Sequence, residues 1–163
     1  MRKLRFLLHA CFILWFSFNN TAIGQSTSQE KMTQLQFMVG DWVGISTTYE
    51  DGKVEQQVPA FQKIQYAVDK NIITIDLHSE TLQLHTVIYY DEKDEKYYYH
   101  PFYKSGAGKF IAELVDGKLI VMRNETTRFI FNKTSENGFQ EYGERFENGE
   151  WRKYFEDNFI DVQ

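Results

Sequence analysis

Gln34-Leu35-Gln36-Phe37-Met38-Val39-Gly40-Asp41-Trp42-Val43-Gly44 is the stretch that decides how this chain folds. It runs an apolar helical stripe into a Gly-x-Trp at the mouth of a first strand. Met32, Leu35 and Met38 fall at i, i+3 and i+6 with Phe37 beside them, which predicts a short helix over Glu30 to Met38. Gly40 stops it. Only about two turns fit, enough for a plug or lid and too few for a scaffold. From Asp41 onward the chain is a nearly unbroken series of short, aromatic-rich strand patterns separated by tight-turn signals.

Trp42 to Tyr49 ends at Glu50-Asp51-Gly52-Lys53, a hairpin signal, because Asp-Gly accepts the positive φ of a type I′ turn. Val54 to Val68 is long and holds Pro59, which predicts a bend or an edge position. Ile72 to Ser79 and Leu82 to Tyr90 alternate cleanly. Ile73, Ile75 and Leu77 share one face of the first, and Leu82, Leu84, Thr86 and Ile88 one face of the second. After the charged turn Asp91 to Lys96 come Tyr97 to Tyr103, Phe110 to Val115, Leu119 to Arg123, Arg128 to Lys133, Phe139 to Phe146 and Trp151 to Phe155. Gly106 and Gly108, Asp116-Gly117, Asn137-Gly138 and Asn148-Gly149 mark the turns between them. The loops are too short for crossover helices, so parallel pairing is excluded. The expected fold is all-β: an antiparallel up-and-down barrel of about ten strands with a short N-terminal helix. An open sheet of that width would leave long sticky edges, and a two-sheet sandwich is the alternative.

Residues 1–24 stand apart. Met1-Arg2-Lys3-Leu4-Arg5 is cationic, Leu7 to Phe18 is apolar but for His9 and Ser17, and Ala22-Ile23-Gly24 offers small residues before Gln25. That layout is a signal peptide cleaved after Gly24, with an apolar run too short for a stable membrane anchor. Leu8-His9-Ala10-Cys11 resembles a lipoprotein box but sits too early to serve as one. Cleavage takes Arg2, Lys3 and Arg5 and no acidic residue. The 18 basic residues become 15 against 23 acidic, and the formal charge moves from −5 to −8. The only cysteine, Cys11, leaves as well. Residues 25–163 are then expected to form one secreted or periplasmic domain, held by a hydrophobic core without disulfides. An acidic surface argues against nucleic acid and anionic membrane as partners, since both recruit clustered Lys and Arg.

With Phe37-Met38-Val39-Gly40-Asp41-Trp42 opening the first strand, and with this strand count, the chain resembles the calycin group. That group holds lipocalins, fatty-acid-binding proteins, nitrobindin-like barrels and uncharacterised secreted bacterial lipocalin-like domains. The last look most similar, because they also run an apolar helix into Gly-x-Trp. The resemblance covers the mature chain and implies a barrel that holds one small, largely apolar molecule. It also implies that Trp42 closes one end under a basic residue from late in the chain, for which Arg145 and Arg152 are the candidates. Nitrobindin-like barrels take haem on a histidine near the chain's end. None follows His100 here, so no cofactor is expected.

The candidate ligand-binding residues are Trp42, Tyr97, Tyr98, Tyr99, His100, Phe102, Arg152 and Tyr154. Period two puts Tyr98, His100 and Phe102 on one face and Tyr97, Tyr99 and Pro101 on the other, and either set suits a ligand with an apolar body and a few polar atoms. Arg152-Lys153-Tyr154 matches the Arg-x-Tyr with which fatty-acid-binding proteins hold a carboxylate. Parity places Arg152 and Tyr154 together, opposite Trp151 and Phe155, whose apolar character would turn the pair outward. His78 and His85 could face each other across a hairpin, with Asp76 as a third group. Two imidazoles make a poor metal site, and Asp76 and His78 lie opposite the apolar face, so no metal is expected. Glu113, Glu141 and Glu144 are carboxylates in strand patterns. Turned inward and set against Arg128 or Arg145, they would form buried ion pairs or acid–base pairs with shifted pKa values.

Three readings of function follow. The first is a secreted barrel that binds a small apolar ligand, drawn from an aromatic complement of 14 Phe and 10 Tyr that exceeds what a filled barrel needs. The second is a small isomerase, lyase or hydrolase using His or Glu acid–base chemistry in the same cavity, its catalytic residues not named by any motif. The third is a filled barrel acting as an interaction module, compatible with a homodimer. A cavity separates the third from the others, and a buried Glu or His with a shifted pKa beside a polar pocket favours the second.

Overall fold

The computed structural model describes residues 27–134 and 138–162. The leader, its cleavage site and most of the Asn137-Gly138 turn lie outside them. Helix α1, Ser28–Thr33, starts two residues earlier than expected because Thr27 and Glu30 form a capping box: each side chain accepts a hydrogen bond from the other's backbone N–H. The helix then gives way to a 3₁₀ turn, Gln36–Met38. In such a turn residues three apart eclipse, so Met32, Leu35 and Met38 all point the same way and are fully buried.

The turn chemistry performs as read. Asp51-Gly52, Asp116-Gly117 and Asn148-Gly149 all adopt positive φ and join neighbouring antiparallel strands. The strands are β1 Gly40–Glu50, β2 Lys53–Ala67, β3 Ile72–Ser79, β4 Gln83–Asp91, β5 Lys96–Tyr103, β6 Gly106–Ala107, β7 Phe110–Val115, β8 Lys118–Asn124, β9 Thr127–Lys133, β10 Gly138–Glu147 and β11 Glu150–Asp161. Each of the ten long strands pairs with its sequence neighbours, and β11 returns to pair with β1 from Trp42↔Asp161 to Thr48↔Phe155. The result is a closed antiparallel ten-strand barrel, with β6 as a two-residue flap on the end of β5. Closure leaves no long unpaired edge, which is why the barrel prevails over the sandwich. Pro59 sits where β2 has outrun β3, whose pairing begins only at Ala60↔Ser79. A missing N–H is harmless there.

One end of the barrel is solid. α1 and the 3₁₀ turn plug it, and Tyr97 Oη and Tyr66 Oη from the wall donate to the carbonyls of Lys31 and Met32 at 2.9 and 3.2 Å. Both carbonyls also accept a backbone N–H, from Gln34 and Leu35, so each phenol adds a second hydrogen bond that ties the helix end to the wall. The indole Nε1 of Trp42 donates to the Met38 carbonyl at 2.8 Å, so the ring lies back along its own strand. A Cβ on Gly40 would stand 3.0 Å from that indole, which gives the Gly-x-Trp spacing its physical meaning. Phe139 stacks between Trp42, Phe131 and Phe159 at 5.4, 6.2 and 5.8 Å. Among the described residues no arginine stacks on Trp42: Arg145 stacks on Tyr154 at 4.3 Å and Arg152 is ion-paired with Glu150. The main chain of the plug takes the place that the resemblance assigned to a basic side chain.

The β2–β3 turn carries a local cost. Val68, Asp69 and Lys70 all take left-handed φ, at 49°, 52° and 65°, and Val68 is exposed. A β-branched residue is poorly suited to that conformation. Val68→Asn, which tolerates it, is expected to raise the urea midpoint by an amount equivalent to about 1 kcal/mol. A midpoint that stays put or falls would contradict the assigned strain.

Candidate functional site

Opposite the plug, the barrel opens into an internal cavity of about 290 Å³. Its walls are apolar and aromatic: Ala60, Leu77, Leu84, Phe129, Phe155 and the ring of Tyr99. Near the mouth Tyr103, Tyr154 and the exposed Arg123 add polar groups. Glu141 and Asp157 reach it from neighbouring strands. They are direct cross-strand partners in the β10–β11 ladder, so their side chains leave the sheet on the same inward face. Both are almost completely buried, at 6 and 4 % exposure. A larger groove of about 430 Å³ runs outside the mouth along residues 78–83 and 103–105, open and polar. The internal cavity is the better candidate because it combines apolar walls with few, buried polar groups.

The carboxylates are held in an unusual electrostatic state. Gln62 Nε2 donates to Glu141 Oε2 at 2.8 Å, and no Lys, Arg or His forms an ion pair with either acid among the described residues. Burial first, then the facing Asp157, push the Glu141 carboxyl up to about 8 against the opposing Gln62 bond. Burial likewise pushes Asp157 up to about 6, opposed by a hydrogen bond from Ser46 on β1. Two like charges this close in a dry site do not both ionise, so near neutrality the pair carries one proton and one negative charge. Gln62 Oε1 and Asp157 Oδ1 are both buried without a hydrogen-bond partner among the described residues. The phenols stay protonated: burial raises Tyr99 well above its usual value and raises Tyr103 and Tyr154 against the pull of Arg123.

The structure divides the residues singled out in the sequence. Tyr99 lines the cavity, and Tyr97 faces inward in the plugged end, where its hydroxyl ties down the helix. Tyr98, His100 and Phe102 take the outer face: Tyr98 stacks on Tyr89 under Lys109, and His100 packs against the exposed Phe102. Trp42 belongs to the plug. Arg152 points to solvent, but Tyr154 turns into the cavity, which corrects the parity argument that tied them together. The reason is a bulge. The register slips between Gly143↔Phe155 and Glu144↔Lys153, so Tyr154 and Phe155 both turn toward the cavity. Gly143 makes room for the two rings, since a Cβ there would lie 2.2 Å from Phe155 and 2.7 Å from Tyr154.

His78 and His85 do not face each other; His85 meets Asp76 at 2.6 Å on the outer face, and His78 is opposite Gln83. Glu144 bonds Arg128 at 2.7 Å on the outer face, and Glu113 is exposed. Glu141 is inward, but neither arginine considered for it is its partner. Sequence reading missed Asp157 because it ended the last strand at Phe155. The signal was there: Phe155, Asp157 and Phe159 continue one face with an acid between two phenylalanines. Gln62 and Arg123 carried no such mark. Among the described residues no cluster of three or more His, Cys, Asp or Glu could hold a metal ion.

No family model matches the chain, and no curated protein resembles it closely enough to count as a relative. The geometry of the cavity therefore carries the functional argument.

Proposed function

We propose that this is an exported, calycin-like barrel that binds a small, largely apolar molecule in the cavity opposite the helix. The observation that carries the reading is an internal space of about 290 Å³, walled by Leu, Phe and Tyr and floored by a buried acid pair that has no ion-pair partner among the described residues. Filling a barrel with side chains is easy, so a void whose floor holds unpaired acids costs stability and is better explained by an occupant. The volume equals roughly ten water molecules, which suits a ligand of on the order of ten to fifteen heavy atoms. Apolar burial at about 25 cal/mol per Å² supplies most of the affinity, and the few polar groups set orientation. The signal-peptide layout of residues 1–24 supports export to the periplasm or beyond.

2-Naphthol, small, neutral and fluorescent, tests the reading. It is expected to bind one saturable site, with Tyr99→Ala weakening it tenfold or more and His100→Ala leaving it within twofold. Absence of saturable binding, or equal loss in the two variants, would remove the cavity as the site. A second reading is favoured by one observation, the raised Glu141 carboxyl in a cavity, which suits a general acid or base. Acid–base catalysis would show as exchange of the α-protons of a bound ketone with solvent. Glu141→Gln would then abolish the exchange while binding persists.

A further inference from the structure

We infer that the cavity's ligand is an amine, entering with its ammonium toward Glu141, Asp157 and Gln62 and its apolar body along the aromatic wall. This rests on the binding reading above and specifies the chemistry of the same site. Three observations converge. The first is the orphaned atoms at the floor: Gln62 Oε1 and Asp157 Oδ1 are both acceptors. A shared proton on the acid pair provides only one O–H for two waiting acceptors, so at least one donor must come from elsewhere. An ammonium brings three.

The second observation is charge. Among the described residues the one cation lining the cavity is Arg123, exposed at the rim, which acts on the phenols of Tyr103 and Tyr154 rather than on the acids; Arg145, also exposed, lies over the Tyr154 ring. The groups facing the pair from the surrounding strands are neutral, Ser46 on β1, Gln62 on β2, Tyr99 and Tyr103 on β5 and Tyr154 on β11, and the one charged neighbour acting on Asp157 among the described residues is a further acid, Glu156. A buried negative charge without a counterion is compensated when a cationic ligand supplies one. The third is the wall. Tyr99, Phe129, Tyr154 and Phe155 surround the space above the acids, and Phe129 and Phe155 lie 6.1 Å apart. Aromatic faces attract an ammonium and pack against its apolar body. At the rim Arg123 is left to meet an acceptor on the ligand's outer end.

Calorimetry on the protein at pH 7.5 with phenethylamine, 2-phenylethanol and phenylacetate tests this, because the three share a body and differ in charge. Phenethylamine is expected to bind at least tenfold tighter than either of the others. Asp157→Asn should erase that preference, the amine losing at least tenfold in affinity relative to 2-phenylethanol. If that variant fails to fold, the native protein gives the same answer by pH. The amine preference should shrink from pH 8 to pH 5 as the pair takes up its protons, and 2-phenylethanol binding should not move. Equal affinity for amine and alcohol would overturn the amine assignment and leave the binding reading intact. Tightest binding by phenylacetate, lost in Arg123→Ala, would overturn it in favour of an anion held at the rim. Failure of all three, together with 2-naphthol, to bind would overturn the binding reading itself.

Discussion

Glu141→Gln is expected to raise stability at pH 8 by about 2–4 kcal/mol and to remove most of the pH dependence of stability between pH 5 and pH 8. In the native protein both acids hold their protons more tightly than in the unfolded chain, Glu141 to about 8 and Asp157 to about 6. The unfolded state therefore binds fewer protons than the folded state across that window, and stability falls as pH rises through it. Below the ordinary carboxylate range both states are protonated and the penalty vanishes. Glutamine keeps the shape of Glu141, still accepts from Gln62 and offers an N–H₂ to the waiting oxygen of Asp157. Urea unfolding at pH 5, 6, 7 and 8 measures both effects. A native protein whose stability is flat across that range would mean that the pair is solvated or already compensated. A variant more stable than the native chain but unable to bind an amine would mark the pair as a functional element carried at a cost in stability.

Phe139→Ala is expected to cost about 3–5 kcal/mol and to lower Tm by roughly 10 °C or more. The side chain is fully buried and stacks on Trp42, Phe131 and Phe159, so its removal opens a void where the plug meets the wall. Rigid aromatic neighbours on three sides leave little room for collapse, which places the cost high in the range seen for such truncations. Phe61→Ala, 57 % exposed on the outer face of β2, is the control and should stay within about 0.5 kcal/mol. Comparable losses in both variants would show that the stack around Phe139 is not the centre of the core.

Much of the fold could be read from local chemistry. Asp51-Gly52, Asp116-Gly117 and Asn148-Gly149 specify hairpins through the positive φ that each turn needs, and uninterrupted hairpins leave a meander as the only topology. Met32, Leu35 and Met38 announced a buried stripe, and the structure buries all three, although a 3₁₀ turn and not a continuous helix aligns them. The site was less legible. In Tyr97 to Phe102 both strand faces carry rings, so period two offers two equivalent answers. What chose between them was the register Tyr97↔Ala112 and Tyr99↔Phe110, which sets the odd residues on the side of the closed wall that holds Phe129 and Phe131.

The sequence by itself determined an antiparallel meander with an apolar plug, because turns and alternation depend on residues a few positions apart. Only the tertiary structure decided the chemistry of the interior. Gln62, Glu141 and Asp157 come from three strands, and the hydrogen bond between Gln62 and Glu141 alone spans 79 positions. Whether a carboxylate in a strand meets water, an arginine or another carboxylate depends on barrel closure and on one bulge at Tyr154. Both are set by which side chains pack across the barrel, a choice made by contacts between distant strands and not by the pattern along any one of them.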